Sequence, residues 1–244
     1  MRALFAGLAA ACAALLGALP ARAAPPVWVV KDADSEIVLF GSVHVLPPSQ
    51  SLFTLLPPAD AKKLVAMAEA YGVDKTTLDR LEPWLAEVVL AGAAYGKAGA
   101  NTDNGVELTI SAAAPATVRR QAFETPAEQL RLFDDTPMAE QIASLRETMG
   151  ELERDPEAFM SLVRAWMAGD VAGLDREALE PMRKATPGLF RRLVTERNAA
   201  WVRTLDARLK GRGRTVVVVG VGHLVGAGGL PAQLRALGYS VTGP

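Results

Sequence analysis

The segment that most constrains the fold lies near the C-terminus, at residues 214–241. Four consecutive valines at residues 216–219 predict a strand buried on both faces, because β-branched side chains suit a covered parallel sheet. The strand runs into Gly-Val-Gly-His at residues 220–223, and a glycine-rich turn, a short helix and a last strand at residues 239–241 follow. A histidine at the C-terminal end of a strand lies where open α/β sheets bind ligands.

The same pattern occurs near the start of the chain. Residues 36–40 predict a strand that runs into Gly-Ser-Val-His, which ends at His44. The chain has only two histidines, His44 and His223, and each closes a G-x-x-H turn after a predicted strand. Residues 27–30 should pair with residues 37–40 as a hairpin, because the residues between them are rich in turn formers.

Residues 1–23 have the composition of a signal peptide. Arg2 gives a positive start, residues 3–19 are apolar, and Ala-Arg-Ala at residues 21–23 predicts cleavage after Ala23. The alternative is a transmembrane anchor, which the short apolar run disfavours. We therefore expect a periplasmic or secreted protein with no stable membrane span after cleavage. Cys12 would be removed, so the mature chain would have no disulfide.

Charge excludes some classes of partner. Without Arg2 and Arg22 the chain keeps 24 basic and 27 acidic residues, a net charge of about −3. It has no basic patch that would indicate nucleic-acid binding. Residues 27–244 are long enough for one domain with a core. We expect an α/β fold, with a mixed, mostly parallel central sheet flanked by helices and a long helical middle segment.

Glu124 is the carboxylate best placed to join the histidines. Residues 118–123 are a modest strand candidate, and Glu124 would lie at the end of that strand. Residues 125–128 (Thr-Pro-Ala-Glu) predict a helix start with a capping box. Glu124 could instead be only a carboxylate favoured by that helix N-terminus. Glu69 and Glu107 are weaker choices, because both are predicted on helices.

Arg197 interrupts the apolar stripe of a long helix predicted from Pro187 to about Lys210. Val194 and Trp201 lie on either side of it in that stripe. An arginine there must be paired, so it is either part of a structural ion pair or directed at a site. The tryptophans at positions 84, 166 and 201 are expected in the core.

Two imidazoles and one carboxylate are the ligands of a catalytic metal site with open positions. The residues alone leave two alternatives, since a histidine at a strand end is often only a hydrogen-bonded structural residue. The turn at residues 226–229 could bind an anion, but it lacks a lysine and the G-x-G-x-x-G spacing, which favours a plain turn.

Together these residues resemble the TraB/GumN family, which includes the Tiki-type metalloproteases. The matching segments run in the family's order across nearly all of the chain after residue 26: residues 39–47, 82–84, 105–107, 123–125 with Gln129, 165–166 with 169–170, 196–198 with Trp201, and 219–224 with Gly229.

The resemblance implies a divalent-metal site, with Zn, Mn or Co as plausible ions. His44 and His223 would be the ligands, and Glu124 and Arg197 are polar residues of the family's motifs. We expect Glu124 to be a ligand or general base and Arg197 to be a catalytic residue, as an orienting or oxyanion-side cation. The sequence departs from the family pattern after His44, where we find no hydrophobic strand ending in a carboxylate.

Two functions follow. The first is a metal-dependent hydrolase of the cell envelope that acts on a peptide or small-molecule substrate, with a peptidase as the expected form. The second is a non-catalytic envelope protein of the same fold that binds a ligand or metal and has lost a catalytic acidic strand.

Overall fold

The computed structural model describes residues 27–31, 36–40, 46–47, 49–100 and 105–243. The chain divides into two compact units, Met1–Val45 and Leu46–Pro244. The predicted signal peptide and His44 lie outside the described residues. The expectation that residues 27–244 form one domain stays a prediction.

The first unit contains an antiparallel hairpin. It consists of β1 (Val27–Lys31) and β2 (Glu36–Phe40). The register pairs Val27 with Phe40 and Lys31 with Glu36. The predicted hairpin is therefore confirmed, although its connecting residues, 32–35, are not among those described.

Helices form most of the described part of the second unit. They are α1 (Leu52–Leu55), α2 (Pro58–Tyr71), α3 (Lys75–Leu78), α4 (Pro83–Lys97), α5 (Val106–Ala113), α6 (Pro126–Asp134), α7 (Met138–Arg154), α8 (Ala158–Ala168), α9 (Val171–Ala178), α10 (Glu180–Ala185), α11 (Pro187–Phe190), α12 (Arg197–Leu209) and α13 (Leu230–Ala236). A π-helix, Arg191–Glu196, joins α11 to α12, and Val221–His223 forms a 3₁₀ turn.

The predicted mostly parallel central sheet is wrong. The described residues are predominantly helical, and β1 and β2 are their only strands. Residues 216–219 have no regular secondary structure, and Val216, Val217 and Val218 are 74%, 39% and 41% exposed. Residues 118–123 and 239–241 form no strand either. β-branched residues favour an extended backbone, but a strand also needs a partner for its N–H and C=O groups, which residue type does not supply.

The largest buried helix contacts join α4 to α7, with α2 packed against both. Leu64 on α2, Leu90 on α4 and Leu145 on α7 are all fully buried. Burying each leucine contributes about 1.5–3 kcal/mol relative to leaving it exposed. These three helices therefore form a hydrophobic core in the second unit.

Two further apolar clusters lie around the C-terminal turns. One contains the buried residues Leu174, Leu179, Leu189, Leu193, Val194 and Val225, and the other contains Trp201, Val202 and Leu230. Both include residues of the region from the π-helix to α12 and residues close to the Val221–His223 turn. The clusters thus hold this turn against the long helical region.

The tryptophans differ in burial. Trp84 and Trp201 are 5% exposed, which confirms their place in the core, but Trp166 is 49% exposed, so that prediction is wrong. Leu162 and Ala165 on α8 pack against the first of these apolar clusters, the one that contains Leu174. The next residue, Trp166, is rotated about 100° around the helix axis, which turns it away from that contact.

The long helix predicted from Pro187 is interrupted. Pro187 does start the helical region, but the π-helix follows after one α-helical turn. A π-helix bonds residue i to i+5, so residues beyond it face a different direction from those in an uninterrupted α-helix. Leu209, at the end of α12, is 52% exposed.

No helix in the part of the chain that the structure describes is long and apolar enough to cross a membrane.

The two glycines before α13 should respond differently to a methyl group. A Cβ at Gly229 would lie 2.6 Å from the Leu224 carbonyl oxygen and 2.8 Å from that of Val225, whereas a Cβ at Gly228 would have no atom within 4 Å. We expect Gly229→Ala to lower the free energy of unfolding by about 1–3 kcal/mol, because backbone must move. Gly228→Ala should change it by less than about 1 kcal/mol. Denaturant unfolding measures both, and equal effects would contradict the packing of this turn.

Candidate active site around His223

Three parts of the second unit meet at His223. Glu124 comes directly before α6, Arg197 and Asn198 begin α12, and His223 ends the 3₁₀ turn. His223 is 9% exposed, and its backbone N–H donates to the Gly220 carbonyl at 2.9 Å. The imidazole is therefore held by a tight local turn and enclosed by residues distant in sequence.

A capped helix start positions Glu124. Thr125 caps α6: its Oγ1 accepts from the Glu128 backbone N–H at 3.2 Å, and its own N–H donates to Glu128 Oε2 at 2.6 Å. This confirms the predicted capping box. Glu124 follows irregular chain, so the prediction that it ends a strand is wrong.

Glu124 and Arg197 form a bidentate ion pair, here called the Glu124–Arg197 pair. Arg197 Nε donates to the two carboxylate oxygens at 2.9 and 3.1 Å, and Nη2 donates to Oε2 at 2.9 Å. The two side chains are only 15% and 16% exposed. A parallel, charge-assisted pair of this kind is stronger and more directional than a neutral hydrogen bond.

Trp201 contacts both residues of the ion pair and the imidazole of His223. Its Nε1–H donates to Glu124 Oε1 at 2.9 Å. Its ring lies 4.7 Å from the Arg197 guanidinium carbon and 4.4 Å from the His223 ring centroid, and it stacks on Phe123 at 4.9 Å. The indole thus limits how far the ion pair and the imidazole can move.

Both ring nitrogens of His223 have polar neighbours. Nδ1 lies 2.7 Å from Asn198 Oδ1, and Nε2 lies 3.3 Å from Arg197 Nη1. Arg197 Nη1 also donates to the Leu193 carbonyl at 3.1 Å. The guanidinium therefore bridges the carboxylate of Glu124, the π-helix and the imidazole.

The environment of His223 lowers its pKa to about 4. Burial is the largest cause, because it penalises the charged imidazolium, and the positive charge of Arg197 adds to it. The carboxylate of Glu124 acts in the opposite direction but does not cancel these effects. His223 is consequently neutral at physiological pH.

The chain was compared with known protein families. A model of the TraB/PrgY/gumN family matches residues 48–243. The chain belongs to the TraB/PrgY/gumN family. This confirms the resemblance to the TraB/GumN proteins, and the matched span includes Glu124, Arg197 and His223, whereas His44 precedes it. Comparison with curated proteins and with solved structures gave no match.

Three of the four predicted site residues come together in this family member. Glu124, Arg197 and His223 are joined through the guanidinium of Arg197. His44, the fourth, lies outside the described residues. The weaker candidate Glu69 lies on α2, where it forms an exposed ion pair with Lys75 at 4.0 Å.

The chemistry of these side chains fits a metal ion only in part. A neutral imidazole such as that of His223 is a suitable ligand. The carboxylate oxygens of Glu124 are already bonded to Arg197 and Trp201. Among the described residues no group of three His, Cys, Asp or Glu side chains could hold a metal ion. The roles of His44, His223 and Glu124 as metal ligands stay predictions.

Sequence reasoning missed two residues of the site. Both lie in the segments that resemble the family, but Asn198 was given no role and Trp201 was expected in the core. A signal was present, because Trp201 follows Arg197 by four residues, the spacing at which side chains on a helix meet. For Asn198 the signal was weaker, because the sequence shows only a polar residue next to Arg197. Its full burial is seen only in the structure.

The lowered pKa of His223 has a consequence for stability. Between about pH 6.5 and pH 4 the unfolded chain binds a proton at residue 223 that the folded chain does not. The stability contributed by the neutral imidazole is therefore complete above pH 6.5 and is lost as the pH falls towards 4. We expect wild type to lose more free energy of unfolding over this interval than His223→Gln. Denaturant unfolding at several pH values tests this, and parallel pH profiles would show that His223 keeps an ordinary pKa.

Removing the cation of the pair should leave a buried, uncompensated carboxylate. We expect Arg197→Met to lower the free energy of unfolding by about 3 kcal/mol. Glu124→Gln added to that variant should restore part of the loss. Arg203 lies on the same helix but is exposed, so Arg203→Met is the matched control and should have little effect. Equal losses for Arg197→Met and Arg203→Met in denaturant unfolding would show that the pair is not a stability determinant.

Proposed function

We propose that this TraB/PrgY/gumN-family chain is a divalent-metal-dependent hydrolase of the bacterial cell envelope that cleaves peptide bonds. The observation that carries the proposal is the state of His223. It is a buried, neutral imidazole, oriented by contacts at both ring nitrogens and placed beside a fixed guanidinium. Neutral imidazoles bind metal ions, and fixed cations stabilise negative charge that develops on a substrate.

The metal ligands in this proposal are His223 and His44. His44 enters because the sequence places both histidines of the chain in matching G-x-x-H turns. Zn, Mn and Co remain the plausible ions. When bound, such an ion polarises a carbonyl group and lowers the pKa of a water molecule. The envelope location follows from the predicted signal peptide at residues 1–23.

Arg197 would supply the fixed cation. Its Nε and Nη2 are bound to Glu124, while Nη1 donates to the Leu193 carbonyl and to His223. A substrate oxygen that replaced His223 as the acceptor would meet an N–H group of a guanidinium already oriented by four other hydrogen bonds. Little reorganisation would then be needed as negative charge develops on that oxygen.

Glu124 enters the proposal mainly through Arg197. Both of its oxygens accept hydrogen bonds, so in this arrangement it orients the guanidinium and the Trp201 indole. Its roles as metal ligand and as general base stay predictions. Either role would require at least one of these hydrogen bonds to be released.

A second candidate function is supported by the same carboxylate. If Glu124 keeps its bonds to Arg197 and Trp201, no carboxylate in the described part of the site is free to act as a base. The chain would then be an envelope protein that binds a metal or small ligand without turnover. The absence of a hydrophobic strand ending in a carboxylate after His44 favours the same alternative.

Metal content and peptide hydrolysis separate the two functions. The purified chain would be compared with His44→Gln, His223→Gln and the control Glu153→Gln, since Glu153 is an exposed carboxylate on α7 that pairs with Lys63. Elemental analysis after dialysis should show about one divalent ion per chain in wild type and in the control, and much less in the histidine variants. Cleavage of a peptide panel should stop with a chelator and return with added metal.

The outcomes are distinct. Equal metal content in all four proteins would refute the metal site. Metal bound through both histidines without hydrolysis of any peptide or ester would favour the binding protein. Hydrolysis that a chelator abolishes and that requires both histidines would establish the hydrolase.

A further inference from the structure

Asn198 is the fully buried polar side chain of the site, and the function proposed above gives it no role. We propose that Asn198 is a positioning residue that places the proton of neutral His223 on Nδ1 and leaves the lone pair on Nε2. The consequence for metal binding rests on the proposed function, but the assignment of the proton does not.

The orientation of the Asn198 amide follows from its neighbours. One end of the amide lies 2.8 Å from the Gly228 carbonyl oxygen and 3.4 Å from the His223 carbonyl oxygen. Only an NH₂ group can donate to two carbonyls, so this end is Nδ2 and the other is Oδ1. A flipped amide would lose both hydrogen bonds and place its oxygen against two other oxygens.

The orientation of the amide then determines the tautomer of the ring. Asn198 Oδ1 lies 2.7 Å from His223 Nδ1 and can only accept a hydrogen bond, so Nδ1 must carry the proton. Arg197 is consistent with this assignment, because its Nη1 lies 3.3 Å from Nε2 and can only donate. Both neighbours therefore leave Nε2 as the acceptor nitrogen.

Binding of a ligand to His223 Nε2 would affect the contacts of Arg197 and Asn198 differently. A ligand at Nε2 takes the place of the Arg197 contact, whereas the Nδ1–H bond to Asn198 can persist. A hydrogen bond at the second ring nitrogen orients a ligating imidazole and increases its basicity. Asn198 also ties the His223 backbone to the Gly228 carbonyl, so it positions both the ring and the turn that carries it.

The tautomer can be measured directly, since the chain has only two histidines. Long-range ¹H–¹⁵N correlation spectra of the ¹⁵N-labelled, metal-free full chain at neutral pH report the protonation of each ring nitrogen. Comparison with His44→Gln assigns the signals of His223. We expect a protonated Nδ1 and an unprotonated Nε2 for His223. A protonated Nε2 would overturn the proposal whether or not the protein binds metal.

Two variants test whether Asn198 acts through the ring. Asn198→Asp keeps an acceptor for Nδ1–H but loses the donor to the Gly228 and His223 carbonyls, so it should be less stable than wild type. Asn198→Leu removes both the acceptor and the donor at similar volume. Titration with Zn²⁺ alone should show affinity reduced by about 10–100-fold in Asn198→Leu, the usual effect of losing such a partner, and a smaller reduction in Asn198→Asp. Asn198→Asp should also keep the Nδ1-protonated ring in the same spectra.

The outcomes separate this inference from the proposed function. A protonated Nδ1 without Zn²⁺ binding would support the role of Asn198 in placing the proton and contradict the metal site. Nδ1 losing its proton in a folded Asn198→Asp would overturn the positioning role. If Asn198→Leu does not fold, the wild-type and Asn198→Asp spectra still decide the question.

Discussion

The buried Glu124–Arg197 pair is the interaction on which the site depends. It joins the chain before α6 to the start of α12, two segments separated by 73 residues in sequence. Neither charge could stay buried without the other, because desolvation of a lone carboxylate or guanidinium costs several kcal/mol. The Trp201 indole and the His223 ring both pack against this pair.

Burial, with the positive charge of Arg197 as the second cause, keeps His223 neutral. Arg197 lies between the carboxylate and the imidazole, so the imidazole faces a cation rather than an anion. A second positive charge there would be both desolvated and repelled, and His223 remains neutral. The site is thus a hydrogen-bonded network built on one net-neutral ion pair. Its members are Glu124, Arg197, Asn198, Trp201 and His223. Such a network costs little reorganisation when it binds a ligand.

Catalysis by this network would require a further group near His223 that activates water. The described residues contribute the Nε2 lone pair of His223, the Arg197 N–H group that donates to it, and a carboxylate that is already bonded. This set can bind and polarise a ligand, but a hydrolase also needs a group that activates water. The metal-dependent reaction proposed above therefore has a binding function as its rival, because Glu124 is already bonded to Arg197.

Local patterns in the sequence determined the hairpin, the capped start of α6, the helix start at Pro187 and three of the residues that meet at His223. These features depend on neighbours within a few positions, which is the range that residue type and spacing report. The absence of a central sheet among the described residues, the exposure of Trp166 and the π-helix before Arg197 were decided by tertiary structure. So were the partners of Glu124 and the contact between Asn198 and His223, because a side chain's partner depends on packing between segments distant in sequence.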